Sequence, residues 1–399
     1  MQFFLNIYLI LSLLTNNLNA FTPIARDLLS TIKVDDKVYF HGGYNDSSPN
    51  ITATEFFYLD ISAPFNVNDK RTIPWVNLSN ITGSPAKHGH TACVGGTKKS
   101  SIFFIGNVRD VPPFVAQFDL TRQKWITSTN ESTVSLHINR TQCVTSGDGI
   151  IYFLNGLTTN NLVNFNTINF TWTFIPVTVE NRTMYYCSTT MMPDGVIIFI
   201  GGRYVDNNSF VSLEKFTTYN TTSASWGFII PSGFGPSTCF PEGSVLTNYG
   251  HILIFGCGEA FNISVVDTTN NYTWIAPIIT NDYIPKNLMS YSLTLIGDYV
   301  LMAFGFLYTD IILDRGSQSD SIYILNVSQK NNYTWITSLG QNSTAFPSST
   351  PNTTENTSLV IDVSIGVVGG IFIVIADTSH LYSRISQSNY SLILHPANT

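Results

Sequence analysis

Residues 191–202 read Met-Met-Pro-Asp-Gly-Val-Ile-Ile-Phe-Ile-Gly-Gly, and this stretch decides the fold. Pro193-Asp194-Gly195 lies between two apolar runs, a combination that is typical of a tight β-hairpin turn. The uninterrupted apolar run at 196–200 predicts a buried strand. Gly201-Gly202 ends that run, because a residue without Cβ tolerates positive φ and lets neighbouring chain segments approach closely.

The flanking sequence completes one structural unit. Residues 184–191 predict a first strand before the hairpin turn, and residues 212–219 predict a third strand after a polar loop. Trp226 then opens a fourth strand behind a turn rich in Thr and Ser. The unit therefore predicts four consecutive antiparallel strands.

Two series of residues repeat this unit about every fifty positions. The first series is the tryptophans Trp75, Trp125, Trp172, Trp226, Trp274 and Trp335. The second series is the end of an apolar run, at Gly42-Gly43, Gly106-Asn107, Asn155-Gly156, Gly201-Gly202, Gly256-Cys257 and Gly305-Phe306. A repeat of this length predicts a propeller or a similar array. Because no stretch shows the 3.6-residue period of an amphipathic helix, we expect an all-β fold, a six-bladed β-propeller with four antiparallel strands per blade.

The repeat unit resembles the kelch repeat. The apolar run ending in Gly42-Gly43 is followed by Tyr58-Leu59-Asp60 and Trp75, and Lys87-His88-Gly89-His90 is similar to the start of a kelch first strand. The resemblance implies a kelch-type β-propeller at 21–340. Together with the ends of the chain, it looks like the galactose-oxidase-like kelch proteins that many fungi place at the cell surface. Kelch propellers serve as adhesive, scaffolding and catalytic domains, so the resemblance implies a fold rather than one function.

Composition excludes two classes of protein. The chain has 19 Lys and Arg against 26 Asp and Glu, a formal net charge of −7, which argues against a nucleic-acid binder. Charged residues make up 11% and hydrophobic residues 44% of the chain, which is unlike a disordered protein. The chain can bury a large core.

The N-terminus predicts export. Residues 1–20 contain an apolar run and end at the small residue Ala20, which is the outline of a secretory signal peptide. The Asn-x-Ser/Thr acceptors are dense and fit a secretory route. They are Asn45, Asn50, Asn77, Asn80, Asn130, Asn139, Asn169, Asn181, Asn207, Asn220, Asn262, Asn271, Asn326, Asn332, Asn342, Asn352, Asn356 and Asn389.

The C-terminal part predicts a stalk and a weak membrane span. Residues 341–358 are Ser, Thr, Asn and Pro with almost no large apolar residue, which favours an extended stalk. Residues 359–376 are mainly apolar but marginally short for a transmembrane segment, and 377–399 form a short polar tail. We expect single-pass display at the cell surface. Plain secretion is the alternative, and 359–376 could instead form a hairpin that joins the globular domain.

Catalytic patterns are missing from the sequence. A copper radical oxidase of the galactose-oxidase type needs two tyrosines, two histidines and a cysteine around copper, with a Tyr-His pair adjacent in sequence. This chain has no Tyr-His dipeptide, and its histidines are scattered. We therefore expect no catalytic residue, no metal and no cofactor, with a copper oxidase or another secreted propeller enzyme kept as the alternative function.

Five cysteines leave at least one thiol outside any intramolecular disulfide. Cys93, Cys143, Cys187 and Cys239 occupy equivalent positions in successive repeats. Cys239 and Cys257 lie symmetrically about the Asn248-Tyr249-Gly250 turn, and we predict a disulfide between them. The alternative is that all five are small buried hydrophobic residues.

One face of the expected propeller favours ligand binding. Loops that join strands two and three emerge on the face of the connections between blades, while Asn169, Asn271 and Asn332 lie on the three–four turns of the opposite face. The scarce charges collect in the two–three loops, at Arg109, Asp110, Arg203, Asp206, Asp310, Asp314 and Arg315. We expect a non-catalytic module that binds a protein or a glycan there, unless these charges only keep the loops soluble.

Overall fold

The structure of the protein is a computed structural model that describes residues 21–106, 113–127, 141–155, 160–179, 182–257, 263–281, 287–310 and 315–340. The expected signal peptide (1–20), stalk (341–358), membrane segment (359–376) and tail (377–399) lie outside the described residues. Within the described ranges, no helix has the length and apolar character that a membrane crossing requires.

The strands fall into six groups along the chain. The first group comprises β1 (Ser30–Val34), β2 (Lys37–His41), β3 (Phe56–Asp60), β4 (Phe65–Asn66) and β5 (Trp75–Asn77), with a short helix α1 (Pro49–Thr54) after β2. The second group comprises β6 (Thr91–Gly95), β7 (Ser101–Ile105), β8 (Val115–Asp119) and β9 (Lys124–Thr127). The third group comprises β10 (Val144–Thr145), β11 (Ile150–Asn155), β12 (Asn161–Asn166) and β13 (Thr171–Pro176).

The remaining groups follow the same plan with additions. The fourth group comprises β14 (Met184–Tyr185), β15 (Ser188–Met191), β16 (Val196–Ile200), β17 (Arg203–Tyr204), β18 (Phe216–Asn220) and β19 (Ser225–Ile229). The fifth group comprises β20 (Gly243–Leu246), β21 (His251–Phe255), β22 (Ile263–Asp267) and β23 (Thr273–Ile275). The sixth group comprises β24 (Ile278–Thr280), β25 (Leu288–Met289), β26 (Ser292–Ile296), β27 (Tyr299–Ala303), β28 (Phe306–Asp310), β29 (Arg315–Gln318), β30 (Ile322–Gln329), β31 (Asn332–Ile336) and β32 (Ser338–Leu339).

Each group forms one antiparallel sheet of four main strands, which confirms the all-β prediction. The sheets have the orders β1-β2-β3-β5, β6-β7-β8-β9, β10-β11-β12-β13, β15-β16-β18-β19, β20-β21-β22-β23 and β26-β27-β30-β31. In the sixth sheet, β24 adds a fifth strand parallel to β31. We number these sheets one to six in that order.

Each tryptophan of the repeat lies in the fourth strand of its sheet. In every case it pairs across the ladder with an apolar residue of the third strand, for example Trp125 with Phe118 and Trp226 with Tyr219. The rings also contact each other, with centroids 5.3 Å apart in the first pair and 4.9 Å apart in the second. Such pairs stabilise a sheet beyond their buried area, so the tryptophans have a packing role.

The continuous apolar runs are explained by burial on both sides of each second strand. Side chains alternate between the faces of a strand. In β16, Ile197 and Phe199 pack in a core cluster shared with sheet three, whereas Ile198 and Ile200 pack in a cluster shared with sheet five. Five of the six core clusters lie between two successive sheets in this way, and the remaining cluster lies between sheets one and six. A half-buried strand would show alternating polar residues instead.

The first strands of the six sheets contact one another in sequence. β1 contacts β6, β6 contacts β10, β10 contacts β15, β15 contacts β20, and β20 contacts β26. β26 in turn contacts β1. One cavity of about 120 Å³ is bordered by Ser30, Thr91, Gln142, Glu242 and Ser292, which belong to five different sheets or the segments leading into them.

Arg26 connects the first sheet to the sixth. Its side chain is fully buried and pairs with the carboxylate of Glu55, and its guanidinium also donates to the carbonyl of Gly42 at 3.1 Å. Its backbone carbonyl accepts from the amide of Gly305 at 2.9 Å. Loss of one partner would leave a buried charge uncompensated, which makes this pair costly to break.

Two disulfides are present, and Cys187 is a buried thiol. Cys239 and Cys257 are joined across the start of sheet five with 4.8 Å between their Cα atoms, within the distance that a disulfide spans. Cys93 and Cys143 are joined with 6.2 Å between Cα atoms, and this bond links sheet two to the start of sheet three. The second disulfide was not predicted, because its partners meet between sheets rather than across one hairpin.

Candidate binding surface

The two–three loop of sheet four lies beside the segment that leads into the same sheet. β17 of this loop pairs with β14, which precedes the first strand β15. Sheet six repeats the arrangement, because β28 of its loop pairs with β25. These pairings place the two–three loops and the connections between sheets on one face, which we call the loop face.

Arg203 lies at the centre of an aromatic cluster on the loop face. Its guanidinium carbon is 4.4 Å from the ring centre of Phe210 and 5.4 Å from that of Phe240. The Phe240 ring contacts Tyr186 at 5.4 Å, and Tyr186 contacts Tyr185 at 4.5 Å. We call these five residues the Arg203 cluster. Cation–π contacts of this kind contribute about 0.5–1 kcal/mol at exposed sites.

Arg203 has no ion pair among the residues that the structure describes. Its Nη1 donates to the backbone carbonyl of Asn208 at 3.1 Å. Phe210 is 44% exposed, and Tyr186 and Phe240 are half-buried, so the cluster borders solvent. A planar cation with unfilled donors beside exposed rings is suited to receive a carboxylate from a partner.

Arg182 fixes the loop next to this cluster. Its Nε and Nη2 donate to the two carboxylate oxygens of Asp206 at 2.9 and 2.6 Å, and Nη2 also donates to Asn207 Oδ1 at 2.6 Å. Its guanidinium stacks on Tyr204 at 3.7 Å. The hydrogen bond from Arg182 lowers the pKa of Asp206, so this carboxylate stays ionised and the loop stays tied at neutral pH.

Tyr186 has a left-handed backbone with φ of 57°. Leu28 and Ser290, which also lie two residues before a first strand, have φ of 55° and 57°. This strain is therefore a repeated feature of how the chain enters a sheet, and not special to the cluster. Tyr186 differs from Leu28 and Ser290 in its aromatic ring, which extends the aromatic surface toward Tyr185.

The structure brings together only part of the predicted site. Arg203 and Asp206 share the loop of sheet four. Arg315 is exposed on β29 of sheet six, and in the described part of the chain it makes no hydrogen bond or ion pair with either residue. The backbone of Asp310 ends β28, and its side chain lies outside the described part. Arg109, Asp110 and Asp314 also lie outside the described residues.

Sequence reasoning missed five members of the surface, one of which, Phe210, lies in the two–three loop of sheet four. Arg182, Tyr185 and Tyr186 precede sheet four, and Phe240 precedes sheet five. The charge pattern in the sequence points only to the two–three loops, and it gives no sign of residues in the connections between sheets. The adjacent pair Tyr185-Tyr186 after Arg182 was the available signal, because Tyr and Arg are enriched in recognition surfaces.

Several glycosylation acceptors can be placed. Asn169 and Asn271 are exposed on turns between third and fourth strands, and Asn332 is exposed at the start of the fourth strand β31. Asn207 is exposed on the loop face next to Arg182. Asn45 is buried instead, and its Nδ2 donates to the carbonyl of Ala25 at 2.7 Å. Asn130, Asn139, Asn181, Asn262, Asn342, Asn352, Asn356 and Asn389 lie outside the described residues.

Two histidines form a buried polar network. His41 Nδ1 and His90 Nε2 are 3.0 Å apart, His90 Nε2 also contacts Ser30 Oγ at 2.6 Å, and His41 Nε2 contacts Ser84 Oγ at 3.1 Å. Burial lowers the pKa of His41 to about 3 and holds the pKa of His90 well below its usual value. Both rings are therefore neutral at physiological pH. No group of three or more His, Cys, Asp or Glu residues suited to a metal ion occurs in the described ranges.

Comparison with known proteins shows a likeness of fold alone. No protein-family model matches the chain. No curated protein matches it by sequence. The solved structure of YjhT superposes with a TM-score of 0.58 and 11% sequence identity, covering 79% of this chain and 98% of YjhT. At this identity the comparison supports a shared all-β architecture and carries no information on ligand or activity.

Proposed function

We propose that the protein is a six-bladed kelch-type β-propeller that recognises a partner through its loop face without catalysis. The six sheets are the blades. The ring of contacts from β1 through β26 and back to β1 supports this arrangement, as does the cavity bordered by residues of five sheets. Core clusters between each pair of successive sheets are the packing that such a propeller requires.

The observation that carries the recognition proposal is the position of Arg203 between Phe210 and Phe240 without a carboxylate partner among the described residues. Two sheets contribute to the cluster, so its geometry is fixed by the packing of the scaffold. Aromatic and Arg side chains dominate the energetics of protein interfaces. The partner that fits best is a protein surface with an exposed carboxylate next to an apolar contact.

The proposed setting is the outside of the cell. The expected signal peptide at 1–20, the dense acceptor motifs and the apolar segment at 359–376 support surface display, with secretion as the alternative. Fractionation of the full-length protein separates the two. Recovery with membranes is the expected result, and recovery wholly in the medium without proteolysis would contradict the anchor.

Binding is tested with the full-length protein on an array of surface proteins and an array of free glycans. Arg203→Ala should abolish or strongly weaken each specific signal, whereas Arg71→Ala, which removes an exposed charge from a three–four turn, should leave it unchanged. Specific signals that survive Arg203→Ala would overturn the assignment of the site. A copper-loaded sample should produce no peroxide from primary alcohols or sugars, and copper-dependent turnover would overturn the non-catalytic proposal.

A further inference from the structure

A concave surface lies on the face opposite the loop face. Its volume is about 1100 Å³, and its walls are the one–two turns of sheets one and two and the three–four turn of sheet two. Residues 143–145 at the start of sheet three and Met191 of sheet four complete its lining. Four lysines border it, namely Lys33, Lys37, Lys98 and Lys99. We call this surface the lysine groove.

The lysine groove concentrates positive charge in an acidic protein. It holds four of the chain's 19 Lys and Arg residues, against two carboxylates, Asp35 and Asp36, in a chain of net charge −7. Lys98 and Lys99 are exposed, and Lys33 and Lys37 are half-buried. None of the four lysines forms a salt bridge within the described ranges. Lys37 Nζ lies 4.8 Å from the ring centre of Tyr58, and Lys37 pairs across the ladder with Asp60, so its charge is partly compensated by the first sheet.

The other polar groups of the groove are mainly hydrogen-bond donors. Thr97, Ser100 and Thr121 contribute hydroxyl groups to its lining. Tyr39 also lines the groove, and only 3% of its surface is exposed. Burial raises the pKa of its phenol to about 12. The phenol is therefore protonated at all physiological pH values. Hydroxyl and ammonium donors suit the oxygen atoms of sulfate and phosphate groups.

The shape of the groove limits the size and class of the ligand. A single ion would fill a small fraction of about 1100 Å³, which matches the volume of pockets for drug-sized ligands. A flat bilayer could not enter a concave surface. A long nucleic acid would meet the net negative charge of the whole protein outside the groove. The class of ligand that fits the groove is therefore a compact molecule with several anionic groups.

The N-glycosylation motifs on this face lie away from the turns around the lysine groove. Asn169 and Asn271 lie on the three–four turns of sheets three and five, and Asn332 follows the three–four turn of sheet six directly. The corresponding turns of sheets one and two, at 61–74 and 120–123, contain no acceptor motif. Glycans at these acceptors would therefore not be attached at the turns that border the groove.

We propose that the lysine groove binds a small polyanion that carries two or more phosphate or sulfate groups. The four lysines bind the anionic groups, the hydroxyl donors complete their coordination, and the apolar side chains of Ile32, Val34 and Leu120 contact the ligand framework. The groove is separate from the Arg203 cluster, so both can be occupied at once.

The test uses the full-length protein with two probes, inositol hexakisphosphate and sucrose octasulfate, at 50 and 200 mM NaCl. The double variant Lys98→Gly/Lys99→Gly removes two charges. Glycine suits the φ of 57° at both positions, whereas asparagine at either position would create an acceptor with Ser100 or Ser101. Lys33→Gln/Lys37→Gln removes two charges from ordinary strand positions. Lys215→Gln/Lys330→Gln is the control of equal charge outside the groove.

We expect at least one probe to bind at 50 mM NaCl and to bind more weakly at 200 mM, because salt screens the lysines. Either groove variant should weaken binding at least tenfold, and the control should stay within twofold of wild type. A stronger response to one probe identifies phosphate or sulfate as the preferred group. Absence of binding to both probes, or an equal loss in the control and the groove variants, would overturn the proposal.

Discussion

The guanidinium carbon of Arg203 lies 5.4 Å from the ring centre of Phe240, and the two residues belong to neighbouring sheets. Arg203 is on β17 in the two–three loop of sheet four, and Phe240 precedes β20 of sheet five. Gly202, next to Arg203, donates its amide to the carbonyl of Cys239, next to Phe240, at 3.0 Å. A Cβ at Gly202 would lie 2.5 Å from the carbonyl oxygen of Tyr185, so glycine is needed where this loop passes the segment that leads into sheet four. The cluster is therefore held by the backbone of two neighbouring sheets.

Removing the ring of Phe240 should weaken partner binding while leaving the fold intact. Phe240→Ala takes away the ring contacts of Arg203 and Tyr186, and we expect binding to fall about tenfold or more, as for other central interface residues. Phe228→Ala, which removes an exposed ring from β19, is the matched control. Equal binding by both variants in a titration against the selected partner would place the interface elsewhere.

The His41–His90 pair should make the protein less stable in acid. Both rings have a depressed pKa in the folded state, so their contribution is present above about pH 6.5 and is lost as pH falls toward the folded value. Between those limits, each histidine lowers the free energy of unfolding by about 1.4 kcal/mol for every unit by which the pH falls. Urea unfolding between pH 7 and pH 5 measures the slope. His90→Gln should reduce the slope, and an unchanged slope would show that the pair does not titrate as described.

The disulfide between sheets should contribute more stability than the disulfide within sheet five. The chain-entropy relation gives about 4 kcal/mol for the Cys93–Cys143 bond, which spans 50 residues, and about 3 kcal/mol for Cys239–Cys257, which spans 18. Denaturant unfolding of Cys93→Ser/Cys143→Ser and Cys239→Ser/Cys257→Ser compares them. A smaller loss from the first double variant would contradict the expected order.

Lys87 should be required for stability because it joins the two ends of a loop. It is fully buried, and its Nζ donates to the carbonyls of Gly106, Pro113 and Phe114 at 2.9, 2.6 and 3.3 Å. Lys87→Met leaves these carbonyls without that donor, and we expect a loss of at least about 2 kcal/mol in unfolding free energy. Lys124→Met, at an exposed position, should change it by less than about 0.5 kcal/mol. Equal losses would show that the three contacts are dispensable.

Local patterns made the sheets predictable. The apolar run around Ile198 and Phe199 is continuous because neighbouring sheets bury both faces of β16. A tryptophan such as Trp226 recurs in every repeat because a large ring on the fourth strand packs against the third strand. The symmetry of Cys239 and Cys257 about one turn is likewise a local feature, and the structure joins these residues.

Contacts between sheets could not be predicted in the same way. Cys93 meets Cys143, and His41 meets His90, only after two sheets pack side by side. Phe240 reaches Arg203 from the connection before sheet five, far from it in sequence. No spacing rule within one repeat indicates such pairs, since the angle between sheets decides which residues meet.

Binding of the selected partner to wild type, Arg203→Ala and Arg71→Ala, measured side by side, tests the central claim most directly. The account predicts a loss of about 30-fold or more for Arg203→Ala, which corresponds to a hot spot of about 2 kcal/mol, and no change for Arg71→Ala. Equal affinity of all three proteins would contradict recognition through the Arg203 cluster.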